Sequence, residues 1–212
     1  MDITLPAVQQ YAEKYTTPDD ALLHEVFQYT IAHHPKAHMI SGPLQGKFLT
    51  MVSAMLRPQR ILEIGTFTGY SALCLAKGLP ENGRVHTIEM RKEDAETAQG
   101  FFDRSPFKDH IILHVGDALQ VLDVLDETWD LVFIDADKPG YINYFNRVLP
   151  KLRKGGIILA DNVLFHGEVL EAKVTGKNAV AIQAFNDFIG ARTDVESVLL
   201  PLRDGLYMIR KL

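Results

Sequence analysis

The chain has almost no cysteine, no long apolar run and no surplus of positive charge, and each lack removes a class of protein. Cys74 is the one cysteine among 212 residues, so no disulfide can form within the chain. It falls between Ala72-Leu73 and Leu75-Ala76 on an expected helix, where it reads as buried filler rather than a reactive thiol. No apolar run approaches the roughly 18 residues of a membrane span. The opening segment carries Asp2 and lacks the basic and then apolar stretches of a secretory signal, which points to a cytoplasmic protein. Lys and Arg total 22 against 27 Asp and Glu, a net charge of −5 scattered along the chain. Neither nucleic acid nor an anionic membrane is therefore an expected partner. Repeats, linkers and low-complexity stretches are absent as well.

What is present fits one α/β domain over 1–212, since 47% apolar residues at this length suffice for a full three-layer core. Up to about residue 56, Leu22, Leu23, Val26, Phe27 and Ile31, then Phe48, Leu49, Val52 and Met55, recur at helical spacing. Thr17-Pro18 and Ser41-Gly42-Pro43 interrupt them. This is a helical N-terminal extension, and Tyr11, Tyr15 and Phe27 are expected on its surface, where they would suit a homodimer contact. From 57 onward short β-rich runs at 61–64, 84–89, 111–115, 131–134 and 157–160 alternate with helical stretches. Such alternation predicts a parallel sheet covered on both faces. The last two runs, 195–200 and 206–209, are joined only by Pro201-Leu202-Arg203-Asp204-Gly205. That connector is too short for a parallel crossover and predicts an antiparallel hairpin.

The first βα turn, Glu63-Ile64-Gly65-Thr66-Phe67-Thr68-Gly69-Tyr70-Ser71, lacks the middle glycine that lets a pyrophosphate approach in dinucleotide sites. Glu63 would repel a phosphate, yet it suits the ammonium and sulfonium charges of S-adenosylmethionine. Alternatively it caps backbone donors in an ordinary turn. Glu89, at the end of the second strand, can accept from ribose hydroxyls, or it is a solvated residue opening the next helix. Asp117, before Ala118, either lies near an adenine or is a plain helix cap. The fourth and fifth strands end in Asp135-Ala136-Asp137-Lys138 and Asp161-Asn162. Adjacent parallel strands would gather Asp135, Asp161 and Asn162 on one rim, an all-oxygen set suited to Mg²⁺, with Ca²⁺ or Mn²⁺ also compatible.

These segments, with Tyr141-Ile142-Asn143-Tyr144 and Asp161-Asn162-Val163-Leu164 followed by Gly167, resemble the metal-dependent class I O-methyltransferases of the caffeoyl-CoA and catechol type. The resemblance runs from about Met39 to the C-terminus. It implies a Rossmann-like methyltransferase fold with a mostly parallel seven-stranded sheet, and a dimer. It implies that Asp135, Asp161 and Asn162 ligate the cation and that Lys138 takes the acceptor's proton, with Asp135 beside it in the reaction. Glu89 would hold the ribose, while Glu63, Gly65, Thr66, Gly69, Ser71, Asp117, Ala118 and Asp135 would surround the cofactor. Met39, Ser41 and Gly46 match the segment that closes over the methionine end. Gln45 replaces the usual acid before that glycine, and His166 stands at a variable place near the acceptor pocket. The acceptor would be a small hydroxyl compound.

Three other readings compete. A nicotinamide-dependent oxidoreductase shares the alternating fold but is disfavoured by the glycine spacing and by Glu63. A cofactor-binding sensor is disfavoured by the retention of Lys138 with all three ligands. A metal-independent methyltransferase stays open. His24, His33, His34, His38 and His110 have no metal-site spacing. Trp129, Phe101 and Phe102 read as packing, and Asn186 is a weak site candidate.

Overall fold

In the computed structural model, residues 4–212 are described; Asp2, on which part of the reading of the chain's start rests, lies outside them. Three helices come first: α1 (Pro6–Lys14), α2 (Ala21–His33) and α3 (Gly42–Leu56). Strands and helices then alternate through β1 (Arg60–Ile64), α4 (Tyr70–Ala76), β2 (Arg84–Glu89), α5 (Lys92–Phe102), β3 (Ile111–Val115) and α6 (Ala118–Val124). They continue through β4 (Trp129–Ile134), α7 (Tyr141–Val148), β5 (Leu152–Asp161), α8 (Lys177–Gly190), β6 (Val195–Leu200) and β7 (Leu206–Lys211). Every strand expected from the sequence is present.

The seven strands form one sheet in the order β3-β2-β1-β4-β5-β7-β6. β1 to β5 pair in parallel, and β7 runs antiparallel to both β5 and β6. Side chains of a strand alternate between its two faces. Ile61, Leu131, Phe133, Ile157 and Leu159 accordingly enter one core with α2 to α5. Leu62, Ile64, Val132, Ile134 and Ile158 enter the opposite core with α7 and α8. Covering both faces explains why these strands read as continuous apolar runs; each fully buried side chain of this size contributes roughly 1.5–3 kcal/mol. Cys74, Phe102 and Trp129 are all fully buried, as their neighbours implied.

One surface expectation is overturned. Tyr11 and Tyr15 are 66% and 67% exposed, but Phe27 is partly buried against the core, with its ring 6.2 Å from that of Tyr70. The reason is helical phase: Leu23, Val26 and Thr30 form the buried face of α2, and Phe27 borders it. No described helix is long and apolar enough to cross a membrane.

The sequence order reverses where β1 lies between β2 and β4, so the crevice at the carboxyl ends of β1 and β4 is the expected ligand position of such a sheet.

Candidate active site

Gly65 brings the two strand tips together. It holds φ +103°, and a Cβ there would lie 1.9 Å from the backbone oxygen of Asp135, so any side chain would force β1 and β4 apart. Behind it, Glu63 is fully buried and accepts from the Thr87 hydroxyl at 2.5 Å through Oε2, while Oε1 has no hydrogen-bond partner. It caps no backbone donor. Burial pushes its carboxyl up to about 8; the Ser71 and Thr87 hydroxyls pull the other way, and the charges of Asp135 and Glu89 push further up. A buried carboxyl with one unpartnered oxygen and two acids nearby fits a positively charged ligand.

Glu89 is 6% exposed and is not the solvated helix opener of the alternative reading. Its Oε2 accepts from the backbone N–H of Phe67 at 2.7 Å and its Oε1 from that of Arg91 at 3.0 Å. This fixes the carboxylate against the loop after β1 and leaves lone pairs for further donors. Thr66 is buried with its hydroxyl 2.5 Å from that of Thr87, Gly69 is the N-cap residue of α4, and Ser71 lies in that helix's first turn. Asp117 caps α6, accepting from the backbone N–H of Gln120 at 3.1 Å, and Ala118 opens the helix. Ser41 is buried at the start of α3, and Met39 is 42% exposed.

Gly46 sits where two helices meet. A Cβ there would lie 2.6 Å from the Tyr70 ring and 3.0 Å from Cys74 Sγ. The glycine therefore lets α3 pack against α4.

Across β4 and β5, Lys138 is 11% exposed at the side chain. Its Nζ donates to Asp135 Oδ1 at 3.1 Å, to Asn162 Oδ1 at 2.8 Å and to the Tyr141 hydroxyl at 2.7 Å. The buried Tyr141 hydroxyl in turn donates to the backbone oxygen of Asp161 at 2.9 Å. Asp161 is 1% exposed; its Oδ1 accepts from the Asn162 backbone N–H and its Oδ2 from Gln45 Nε2, both at 2.8 Å. Burial, then the charge of Asp135, pushes the Asp161 carboxyl up. Asn162 adopts φ +56°, uncommon for a residue with a side chain though best tolerated by asparagine. Among the described residues, no three His, Cys, Asp or Glu side chains form a metal cage. The set here is two carboxylates and an amide oxygen, and two of its three members already hold a cation, the Lys138 ammonium. A hard ion that accepts oxygen donors and keeps bound water fits it.

Of the remaining candidates, His166 is exposed at φ +56° beside Asp204. Asn186 donates to the backbone oxygen of Val163 and supports the turn after β5. His34 pairs with Asp94 at 2.9 Å. The sequence reading assigned no role to Tyr141, Thr87 or Arg203. Tyr141 sits inside a quoted motif and could have been suspected. Arg203 lies in what reads as an ordinary hairpin turn, and no spacing rule connects it to Gln45, 158 residues away.

A doubly wound sheet with this strand order, acids at the ends of β1 and β2 and a C-terminal antiparallel hairpin defines a Rossmann-like methyltransferase fold. The family profile described as O-methyltransferase matches residues 13–212, and the chain belongs to this O-methyltransferase family. The match begins at the end of α1, so the resemblance starts well before Met39 and takes in α2 and α3. The chain is 37% identical over 188 residues to a catechol O-methyltransferase of Niastella koreensis, covering 87% of this chain and 84% of that one. It is 30% identical over 189 residues to a caffeoyl-CoA O-methyltransferase of Stellaria longipes, covering 84% and 78%. The crystal structure of an O-methyltransferase from Bacillus cereus in complex with SAH superposes with a TM-score of 0.86 at 33% identity, covering 97% of each chain.

Proposed function

We propose that the chain is a single catalytic domain that transfers the methyl group of S-adenosylmethionine to a hydroxyl of a small catechol-like or hydroxycinnamoyl-like acceptor, with a divalent cation at Asp135, Asp161 and Asn162. The observation that carries this reading is the Lys138 ammonium held by Asp135 and Asn162 at the tips of adjacent strands. The complex of the Bacillus relative with SAH, and the names of the catechol and caffeoyl-CoA relatives, support the choice of cofactor and acceptor.

In this reading Glu63 receives the cofactor's positive charge and Glu89 its ribose hydroxyls, while Met39 and Ser41 border its methionine end. Gly65, Thr66, Gly69 and Ser71 shape the turn beneath it, and Asp117 and Ala118 border the adenine. When bound, the cofactor would supply an electrophilic methyl group, and a cation held by Asp135, Asp161 and Asn162, Mg²⁺ in the first instance, would make a neighbouring hydroxyl more acidic. Lys138 would take the hydroxyl proton at Nζ as a neutral amine, its ammonium proton having passed to water when the divalent cation displaces it from Asp135 and Asn162. Tyr141, hydrogen-bonded to Nζ, orients it, and Asp135 carries the compensating charge. We further read the chain as a cytoplasmic homodimer; exposed Leu5, Val8, Tyr11 and Tyr15 along α1 support such a contact.

Methyl transfer to catechol, caffeoyl thioester and flavonoid acceptors, each with Mg²⁺, Mn²⁺, Ca²⁺ or chelator, tests the proposal. Product should form with at least one acceptor and disappear with chelator. Turnover that ignores chelator would move the assignment to a metal-independent methyltransferase.

A further inference from the structure

We propose that Gln45 is a positioning residue for Asp161, and that Arg203, in the turn between β6 and β7, fixes the orientation in which Gln45 does this. The inference rests on the reading of Asp161 as a cation ligand.

Gln45 lies in the first turn of α3 with no exposed surface. Its Nε2 donates to Asp161 Oδ2 at 2.8 Å, and its Oε1 accepts from Arg203 Nη1 at 3.1 Å. A second donor of the same guanidinium, Nη2, reaches the backbone oxygen of Ile40 at 3.0 Å. The direction of this chain is set by chemistry. A guanidinium can only donate and a carboxylate can only accept, so the amide between them has one consistent orientation. A glutamate at this position could accept from Arg203 but, ionised, could not donate to Asp161. A lysine could donate to Asp161 but would repel Arg203 and cancel the carboxylate's charge.

The neutral amide therefore holds the Asp161 carboxylate in place while leaving its negative charge for a cation. With Oδ1 already on the Asn162 backbone N–H, both oxygens are held and the side chain has no freedom to turn away. Arg203 adopts φ +52°, a region that favours glycine, and its two side-chain hydrogen bonds account for a residue with a side chain being held there. The same chain joins three pieces distant in sequence: the segment before α3, the β6–β7 turn and the tip of β5. Cation affinity is thus set partly from outside the strands that supply the ligands.

The test is Mn²⁺ binding to the full cofactor-free chain, read by the spin-resonance signal of unbound Mn²⁺, for wild type, Gln45→Leu, Arg203→Met and the double variant. We expect Gln45→Leu to raise the Mn²⁺ Kd about 5–10-fold and Arg203→Met about 2–4-fold, with the double variant no worse than Gln45→Leu, because both act through one amide. Turnover lost by Gln45→Leu at low Mn²⁺ should return at saturating Mn²⁺, which a merely structural defect would not allow. An unchanged Kd in folded Gln45→Leu overturns the inference, and additive effects overturn the part assigned to Arg203. If Gln45→Leu does not fold, Arg203→Met decides alone, an unchanged Kd again overturning it. Wild-type protein that binds no Mn²⁺ removes the cation reading itself and the inference with it, whereas wild-type binding with unaltered variants removes the inference only.

Discussion

The two halves of the rim hold their acids in different ways. On the β1–β2 side, neutral groups do the holding: a threonine hydroxyl for Glu63 and chiefly two backbone N–H groups for Glu89, with Arg91 Nε more distant at 3.5 Å. One Glu63 oxygen is left without a partner. On the β4–β5 side, cations stand close: Lys138 between Asp135 and Asn162, and Arg203 one amide away from Asp161. The first half is short of positive charge and suits a ligand that brings it. The second already has positive charge, so a divalent ion bound there, as proposed, would have to share oxygens with a resident ammonium. Asp135 stands at the junction, paired with Lys138 while its charge also reaches Glu63.

The largest effect should come from the β4–β5 half. Lys138→Ala should lower kcat by about 100-fold or more, while cofactor affinity measured by calorimetry stays within about threefold. With the ammonium gone from Asp135 and Asn162, Mn²⁺ should bind more tightly; weaker binding would break the claim that lysine and metal share those oxygens.

The β1–β2 half should respond in the opposite sense. Glu63→Gln should raise the cofactor Kd about 30-fold, the loss expected when a buried charge pair loses one partner, and it should change kcat at saturation far less than Lys138→Ala does. A loss confined to kcat would erase the distinction between the halves.

Proton linkage sharpens the same contrast. The Glu63 carboxyl is held at about 8 against an ordinary value of 4.5. Stability from its neutral form is therefore complete below about 4.5 and is lost as pH rises through about 8. The Tm difference between cofactor-free wild type and Glu63→Gln should move by several degrees across that window, in favour of the variant at high pH. Cofactor affinity of the wild type should rise over the same range, because the cation needs the ionised form. A pH-independent Tm difference would show that burial does not hold Glu63 protonated.

The smallest effect lies away from the rim, where the rings of His86 and His114 stack with His86 Nδ1 3.1 Å from His114 Nε2. Burial, then the His114 ring, pushes His86 down to about 4. Its neutral form is the folded one, so its contribution is present above about 6.5 and lost as pH falls through about 4. His86→Leu should flatten that acid loss of Tm by roughly 5 °C and leave methyl transfer at neutral pH intact. A change in cofactor affinity would instead tie this pair to the rim.

Much of this architecture was legible in the chain because its signals are local. Alternating apolar runs gave every strand, and the short connector before Leu206 gave the antiparallel hairpin, since five residues cannot span a crossover. Asp135, Asp161 and Asn162 were legible as a group because strand ends in a parallel sheet share one edge. Phe27 was misread because the ring that helps cover it, Tyr70, belongs to a helix far along the chain, which leaves no mark in local spacing. Glu89 was read as a cofactor residue from its place at a strand end, but its hydrogen bond to the loop after β1 was not legible, since that loop follows another strand.

The sequence by itself determined the layered α/β form, the order of its elements and the residue types at the strand tips, because periodicity and chain-end chemistry act between near neighbours. Only the tertiary structure decided which charges balance one another: the missing partner of Glu63, the Lys138 ammonium between two strand ends, and the amide that joins Arg203 to Asp161. Electrostatic interactions and hydrogen bonds of this kind depend on distance through space and on burial, and neither is written in the spacing of residues along a chain.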